Sequence, residues 1–264
     1  YENTKEIKEN NLRGAAAPRR GAAGGSAFVF FIFLSIFVYF ANNPSHWDGN
    51  PGIGIVNPNN PKHKMLIKFD DEPLIRLVFD KVRMLGFDTF VATDSKRIAK
   101  HIPNKWCIQT GKADNGTHRL SKRAVLDLVG NYDYILNIQG DMIDIGYETI
   151  QPIKKRLLGS VDPGLCLTAY TKGAKPNDVK VIHQNGKAMW FTRAPIGYGD
   201  RHLGIYAYQP YMLKAYRAMK DKYTQENLEQ NRILGSYDIE VIETKYNGVE
   251  INTQEDIDSW SVQS

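Results

Sequence analysis

The sequence predicts an α/β fold: three layers built on a mixed, mostly parallel sheet. Three observations carry this reading. From about residue 51 to 157, short apolar runs alternate with stretches of helical periodicity. The run Tyr132-Asp133-Tyr134-Ile135-Leu136-Asn137-Ile138-Gln139-Gly140-Asp141 reads as a buried strand ending on a Gln-Gly-Asp turn. Beyond residue 157 several strand-like runs follow one another, as a β-rich insertion in a single domain would show.

Each element has a local cause. Residues 53–56 read as a first strand, followed by a polar loop over 57–64. Residues 73–85 carry Leu74, Val78, Val82 and Leu85 at helical spacing and stop at Gly86. A strand over 89–92 leads to Asp94 or Ser95 as the cap of a helix running to 101. A short strand is expected at 106–109, a helix over 117–129, then the Asp141 strand and a helix near 147–157. Runs at 165–170, 178–182, 188–192 and 202–208 are strand-like, with Asn185-Gly186 as a tight hairpin turn between the second and third. Helices over 211–219 and 226–234, a strand at 239–243 and a helix from 253 close the pattern.

The first 45 residues differ, and the domain is expected over 46–264. Within the extension, residues 27–41 are almost wholly apolar and follow Arg13, Arg19 and Arg20. Their 15 residues fall short of the ~20 a helix needs to cross a bilayer. A short membrane anchor and a non-native extension are both open, the latter because the chain starts on Tyr1. Membrane contact is expected only through 27–41. Composition narrows the partners. Lys and Arg exceed Asp and Glu by 34 to 29, spread thinly, which does not make the concentrated basic face of a nucleic-acid binder. Cys107 and Cys166 both lie in apolar runs, which suits buried thiols in a reducing compartment such as the cytoplasm.

Polar residues gather at strand ends and loops: Lys62, His63, Lys64, Arg119, Gln139, Asp141, Arg193, Arg201, His202, Glu250 and Asn252. Loops at one edge of an open α/β sheet converge on its ligand crevice. An acid facing several cations suits a nucleotide triphosphate bound with Mg²⁺. No Walker-type glycine loop is present. Duller readings stand beside these: Asp141 as a helix cap, Lys62 and Lys64 as solvated charges, His202 as a strand-end histidine, Glu250 as a helix-dipole partner.

Several blocks together resemble the CMP-KDO synthetases (3-deoxy-manno-octulosonate cytidylyltransferases) among the sugar-acid cytidylyltransferases. They are Val91-Ala92-Thr93-Asp94, Asn137-Ile138-Gln139-Gly140-Asp141, Val179-Lys180-Val181, Ala188-Met189-Trp190-Phe191-Thr192-Arg193-Ala194-Pro195 and Arg201-His202-Leu203-Gly204-Ile205-Tyr206-Ala207-Tyr208. Leu228-Glu229-Gln230 with Arg232, and Asn252-Thr253-Gln254-Glu255-Asp256-Ile257, complete the set. The resemblance implies a GT-A-like nucleotidyltransferase fold and attack of a sugar acid's anomeric hydroxyl on the α-phosphate of CTP, with Mg²⁺, in a homodimer that supplies surface polysaccharide synthesis. By the same resemblance Asp141 is the metal-binding acid and Lys64 the phosphate-loop lysine. Gln139, Gly116, Thr117 and Arg119 face the nucleotide, and Arg193, His202 and Glu229 line the sugar-acid pocket.

Departures sit at the catalytic end. The stretch 57–64 lacks the family's arginines, whose bidentate phosphate contacts a lysine does not reproduce. Met142-Ile143 replace the expected Glu-Pro, and Asn252 replaces an acid, with Glu250 as a substitute metal ligand. Only residues 196–200 separate Pro195 from Arg201, where the family has a longer segment. A paralogue that binds a nucleotide without turnover and an enzyme for a different sugar acid are therefore the alternatives.

Overall fold

The computed structural model describes residues 28–33, 61–130, 132–158, 160, 162, 164–219, 226, 228–246, 251 and 260. Among them, nine strands form one sheet: β1 (Phe28–Phe33), β4 (Asp88–Thr93), β5 (Cys107–Gln109), β6 (Tyr134–Gln139), β7 (Cys166–Thr171), β8 (Lys180–Gln184), β9 (Lys187–Thr192), β10 (Asp200–Tyr208) and β11 (Glu240–Glu243). Their order is β5-β4-β1-β6-β10-β7-β11-β9-β8, and β10 also pairs with β8. The first four strands are mutually parallel; β10 runs antiparallel to both β6 and β7. A small hairpin, β2 (Lys68–Phe69) with β3 (Glu72–Pro73), turns through Asp70 and Asp71 at positive φ.

Strand β1 corrects the sequence reading. Phe28–Phe33, assigned to an extension ahead of a domain starting at 46, pairs in parallel with β4 on one side and β6 on the other. Parallel strands at such central positions read as unbroken apolar runs, so their composition imitates a membrane segment. Among the described residues no helix is long and apolar enough to cross a membrane. The expected first strand at 53–56 and the helix from 253 lie outside the described residues.

Both faces of the sheet are covered. Helices α1 (Leu74–Met84) and α5 (Tyr147–Leu158) pack on one face, and their Leu74, Ile75, Val78, Phe79, Val82, Ile150, Ile153 and Leu157 join Val91, Leu136, Ile138 and Leu167 in one cluster. On the other face, α3 (Gly116–Leu120), α4 (Arg123–Val129), α6 (Pro210–Ala218) and α7 (Glu229–Leu234) contribute Leu120, Val125, Val129, Met212, Leu213, Tyr216 and Ile233. These meet Phe90, Ala92, Ile135, Tyr206 and Tyr208. The period-2 alternation of Phe90, Val91 and Ala92 between the two clusters is what a sheet buried on both sides requires. Each large apolar side chain buried this way contributes about 1.5–3 kcal/mol.

Two helices differ from expectation. The predicted 117–129 helix is broken into α3 and α4, because Ser121 donates its hydroxyl to the His118 carbonyl at 2.7 Å and the chain is extended at Lys122. The helix α2 (Lys96–Ala99) is shorter than expected, with Ser95 as its cap. The hairpin at Asn185-Gly186 holds φ of 50° and 75°, the doubly left-handed turn that Asn-Gly favours.

Candidate active site

The parallel half of the sheet brings its strand ends to one edge. There Asp141 lies just past β6, Asp94 just past β4 and Thr110 just past β5. Because β10 is antiparallel to β6, its starting end, with His202, reaches the same edge.

Lys64, in a 3-10 turn over Pro61–Leu66, places its Nζ 2.6 Å from Asp141 Oδ2. The Asp141 side chain is buried, and its Oδ1 has no hydrogen-bond partner among the described residues. A buried carboxylate oxygen left unpaired costs about 1–3 kcal/mol, so it is poised for an external partner. The Asp141 carbonyl accepts the amide of Ile251 at 3.2 Å, which brings Ile251 to this spot. Glu250 and Asn252, its neighbours in sequence, lie outside the described residues. No group of three metal-ligating side chains occurs among the described residues. Mg²⁺ does not need one, since it takes one or two carboxylates and fills its remaining positions with waters and phosphates. The free Oδ1 fits that donor set.

Arg119 is buried on α3, donating from Nη1 to Thr110 Oγ1 at 2.7 Å and pairing with Asp94 Oδ1 at 3.2 Å. Burial lowers its pKa while Asp94 acts the other way, and an arginine stays charged throughout. The result is a fixed cation beside the 111–116 loop. Asp94, expected as a possible helix cap, is instead Arg119's counter-ion. The helix start at Gly116-Thr117 is capped by Asn115, whose Oδ1 accepts the His118 amide at 2.8 Å.

Gln139 ends β6 beside a bulge in β10. Gly204 in that bulge has φ +65°, and a Cβ there would collide with the Gln139 side-chain amide. The glycine thus lets Gln139 lie directly on the neighbouring backbone.

Across the bulge the chemistry changes from charged to neutral. His202 Nε2 lies 2.8 Å from Thr168 Oγ1, and that hydroxyl donates to the Ile205 carbonyl at 2.8 Å. Thr168 must therefore accept from His202, which assigns the proton to Nε2 and leaves Nδ1 as an acceptor facing Gln230 Nε2. Gln230 also bonds Tyr206, and its buried Oε1 is unpaired among the described residues. Burial, aided by the nearby charge of Arg193, pushes His202 down to about 3, so it is neutral at physiological pH.

The residues predicted for the sugar side divide. Arg193 and His202 are neighbours, and the Arg193 backbone amide is held by Glu226. Glu229 points elsewhere: its Oε2 accepts the Thr117 amide at 2.8 Å. Burial raises it to about 7 against those amide contacts. It joins the two groups by buttressing the start of α3 while its neighbour Gln230 faces His202. Thr168, Thr110 and Gly204 were not singled out from sequence. A glycine inside a strand pattern was the signal for the bulge, and a threonine in the apolar 165–170 run was the signal for Thr168.

The mixed sheet, with a buried acid, its lysine and a buried arginine at one edge, has close structural likenesses. The fold matches a CMP:2-keto-3-deoxy-manno-octonic acid synthetase solved with CTP, at a TM-score of 0.64 and 20% identity, over 90% of this chain and 97% of that one. It also matches a putative glucose-1-phosphate thymidylyltransferase from Bacillus anthracis, at TM-score 0.62 and 14% identity, over 90% and 95%. At those identities the likeness shows the fold, which is GT-A-like as expected. A family profile described as cytidylyltransferase matches residues 62–246. The 3-deoxy-manno-octulosonate cytidylyltransferase of Acaryochloris marina is 31% identical over 216 residues, 74% of this chain and 87% of the relative. That of Bartonella quintana is 33% identical over 218 residues, 74% and 89%. The chain belongs to the cytidylyltransferase family.

Proposed function

We propose that this protein transfers a cytidylyl group from CTP to 3-deoxy-manno-octulosonate or a closely related sugar acid, releasing pyrophosphate. The observation that carries the reading is Asp141: buried, gripped by Lys64 through one oxygen, with the other oxygen unpaired among the described residues at the sheet edge where Arg119 also sits. Asp141 Oδ1 would hold Mg²⁺, with Glu250 or Asn252 as a second ligand. When bound, the metal offsets negative charge on the triphosphate. Lys64 and Arg119 add fixed positive charge for the pyrophosphate leaving group. Gln139 and the Gly116-Thr117 turn orient the nucleotide. Arg193 supplies the countercharge for the sugar carboxylate, while neutral His202, its ring nitrogens facing Thr168 and Gln230, shapes the pocket through that network and not as a cation.

Incubating the purified protein with CTP, Mg²⁺ and a panel of sugar acids tests this by pyrophosphate release. Release with 3-deoxy-manno-octulosonate supports the assignment, and preference for another sugar acid redirects the specificity alone. A second reading, nucleotide binding without turnover, is favoured by the arginine-free stretch 57–64. It predicts a CTP-dependent thermal shift with no product. The activated sugar would serve surface polysaccharide synthesis in the cytoplasm, by a homodimer, as the family resemblance implies.

A further inference from the structure

The bulge in β10 links the two halves of the site. Between His202 and Tyr206 the strand advances four residues while its partner β7 advances two, from Tyr170 to Thr168. The surplus backbone is fixed at two points. Thr168, fully buried, donates to the Ile205 carbonyl and accepts from His202 Nε2, so one hydroxyl holds both the bulge and the imidazole. Gly204, at φ +65°, carries the Gln139 side chain against its Cα. On the other side of the bulge the register resumes with Tyr206 opposite Asn137, two residues before Gln139 on β6.

We infer that residues 203–205 form a built spacer fixing Gln139 relative to His202, and that Gly204 and Thr168 are positioning residues for the transfer reaction. Neither residue has a reactive group aimed at substrate. Gly204 acts through Gln139, and Thr168 acts through the orientation and tautomer of His202. The inference rests on the proposed function in taking Gln139 as nucleotide-side and His202 as sugar-side.

The test is a double-mutant cycle with a substrate-resolved readout. Gly204→Ala should lower kcat/KM by ~10–100-fold, as misplacements of about 1 Å do. In a Gln139→Ala background the same change should cost at least ~5-fold less, because the clash is gone and only the strain of a left-handed alanine remains. Thr168→Val should raise KM for the sugar acid ~10-fold with KM for CTP little changed, and Thr168→Ser should restore it. Equal losses from Gly204→Ala in both backgrounds, or a Thr168→Val effect shared by both substrates and unrescued by serine, would mean these residues serve folding only and would overturn the inference. If the wild type shows no turnover, the Gly204–Gln139 cycle is read by CTP titration calorimetry, where the same non-additivity is expected. A wild type that neither turns over nor binds CTP sinks the proposed function and this inference with it. Turnover without coupling sinks the inference alone.

Discussion

The two sides of the candidate site are built in opposite ways, and on the proposed function each would receive an anion. On the parallel side, Asp141, Lys64, Asp94 and Arg119 are ionic groups arranged in pairs at strand ends, with one carboxylate oxygen held in reserve. On the antiparallel side, Thr168, His202, Gln230 and Tyr206 form a buried network of uncharged groups, with the charges of Arg193 and Glu229 at its margins. In the proposed reaction, negative charge that builds on the departing pyrophosphate calls for strong fixed charges. A sugar acid whose carboxylate is a bystander calls for shape and hydrogen bonding. The contrast predicts that substitutions on the first side act on turnover and those on the second act on affinity.

The largest effect should come from Asp141→Asn, which keeps the volume but removes the charge. Pyrophosphate release should drop by ~10³-fold with the circular dichroism spectrum intact. Lys64→Met should cost ~10²-fold, mainly in kcat. A Lys64→Met variant that changed only the sugar-acid KM would break the division drawn above.

His202→Gln sharpens the other side: sugar-acid KM should rise ~10-fold, close to one hydrogen bond of about 1.5 kcal/mol, with kcat nearly kept. It also carries a pH signature. His202 is held down at about 3 when folded against an ordinary value of 6.5, so the unfolded chain takes up a proton that the folded chain refuses. Its contribution to stability is complete above about pH 6.5 and drains as pH falls toward 3. Thermal melts of His202→Gln should show a flatter acid limb than the wild type.

The smallest effect on turnover belongs to Glu229, raised from 4.5 to about 7 in the folded state, whose signature is in stability. Here the folded chain binds the proton more tightly, so stability declines as pH rises from about 4.5 through 7. Glu229→Gln lacks that decline. Moving from pH 5 to 8 should shift relative stability toward the variant by roughly 2 kcal/mol. Melting curves at the two pH values decide it, and a difference independent of pH would place the charge of Glu229 outside the linkage.

Most of the sheet was legible because alternation and helical spacing are local properties. Helix α1, the Asn185-Gly186 hairpin and the β6 strand all follow from short-range pattern. Strand β1 was not legible: Phe-Val-Phe-Phe-Ile-Phe satisfies equally a central parallel strand and a membrane-directed segment, and only its pairing with β4 and β6 separates them. The break between α3 and α4 depended on the Ser121 hydroxyl choosing a backbone carbonyl. Within the site, Asp141 was visible from its glycine turn past a strand end. The contact of Gln139 with Gly204 joins residues 65 positions apart through strand register, which no single segment encodes. Glu229 shows the same limit, since its place in a family block could not say that its carboxylate faces the Thr117 amide.

One binding experiment bears most directly on the charged side: CTP titrated into wild type and Asp141→Asn, each with Mg²⁺ and with chelator. The wild type should bind CTP much more tightly when Mg²⁺ is present, and the variant should bind equally with and without it. Metal-dependent CTP affinity that survives unchanged in Asp141→Asn would contradict the assignment of the unpaired oxygen.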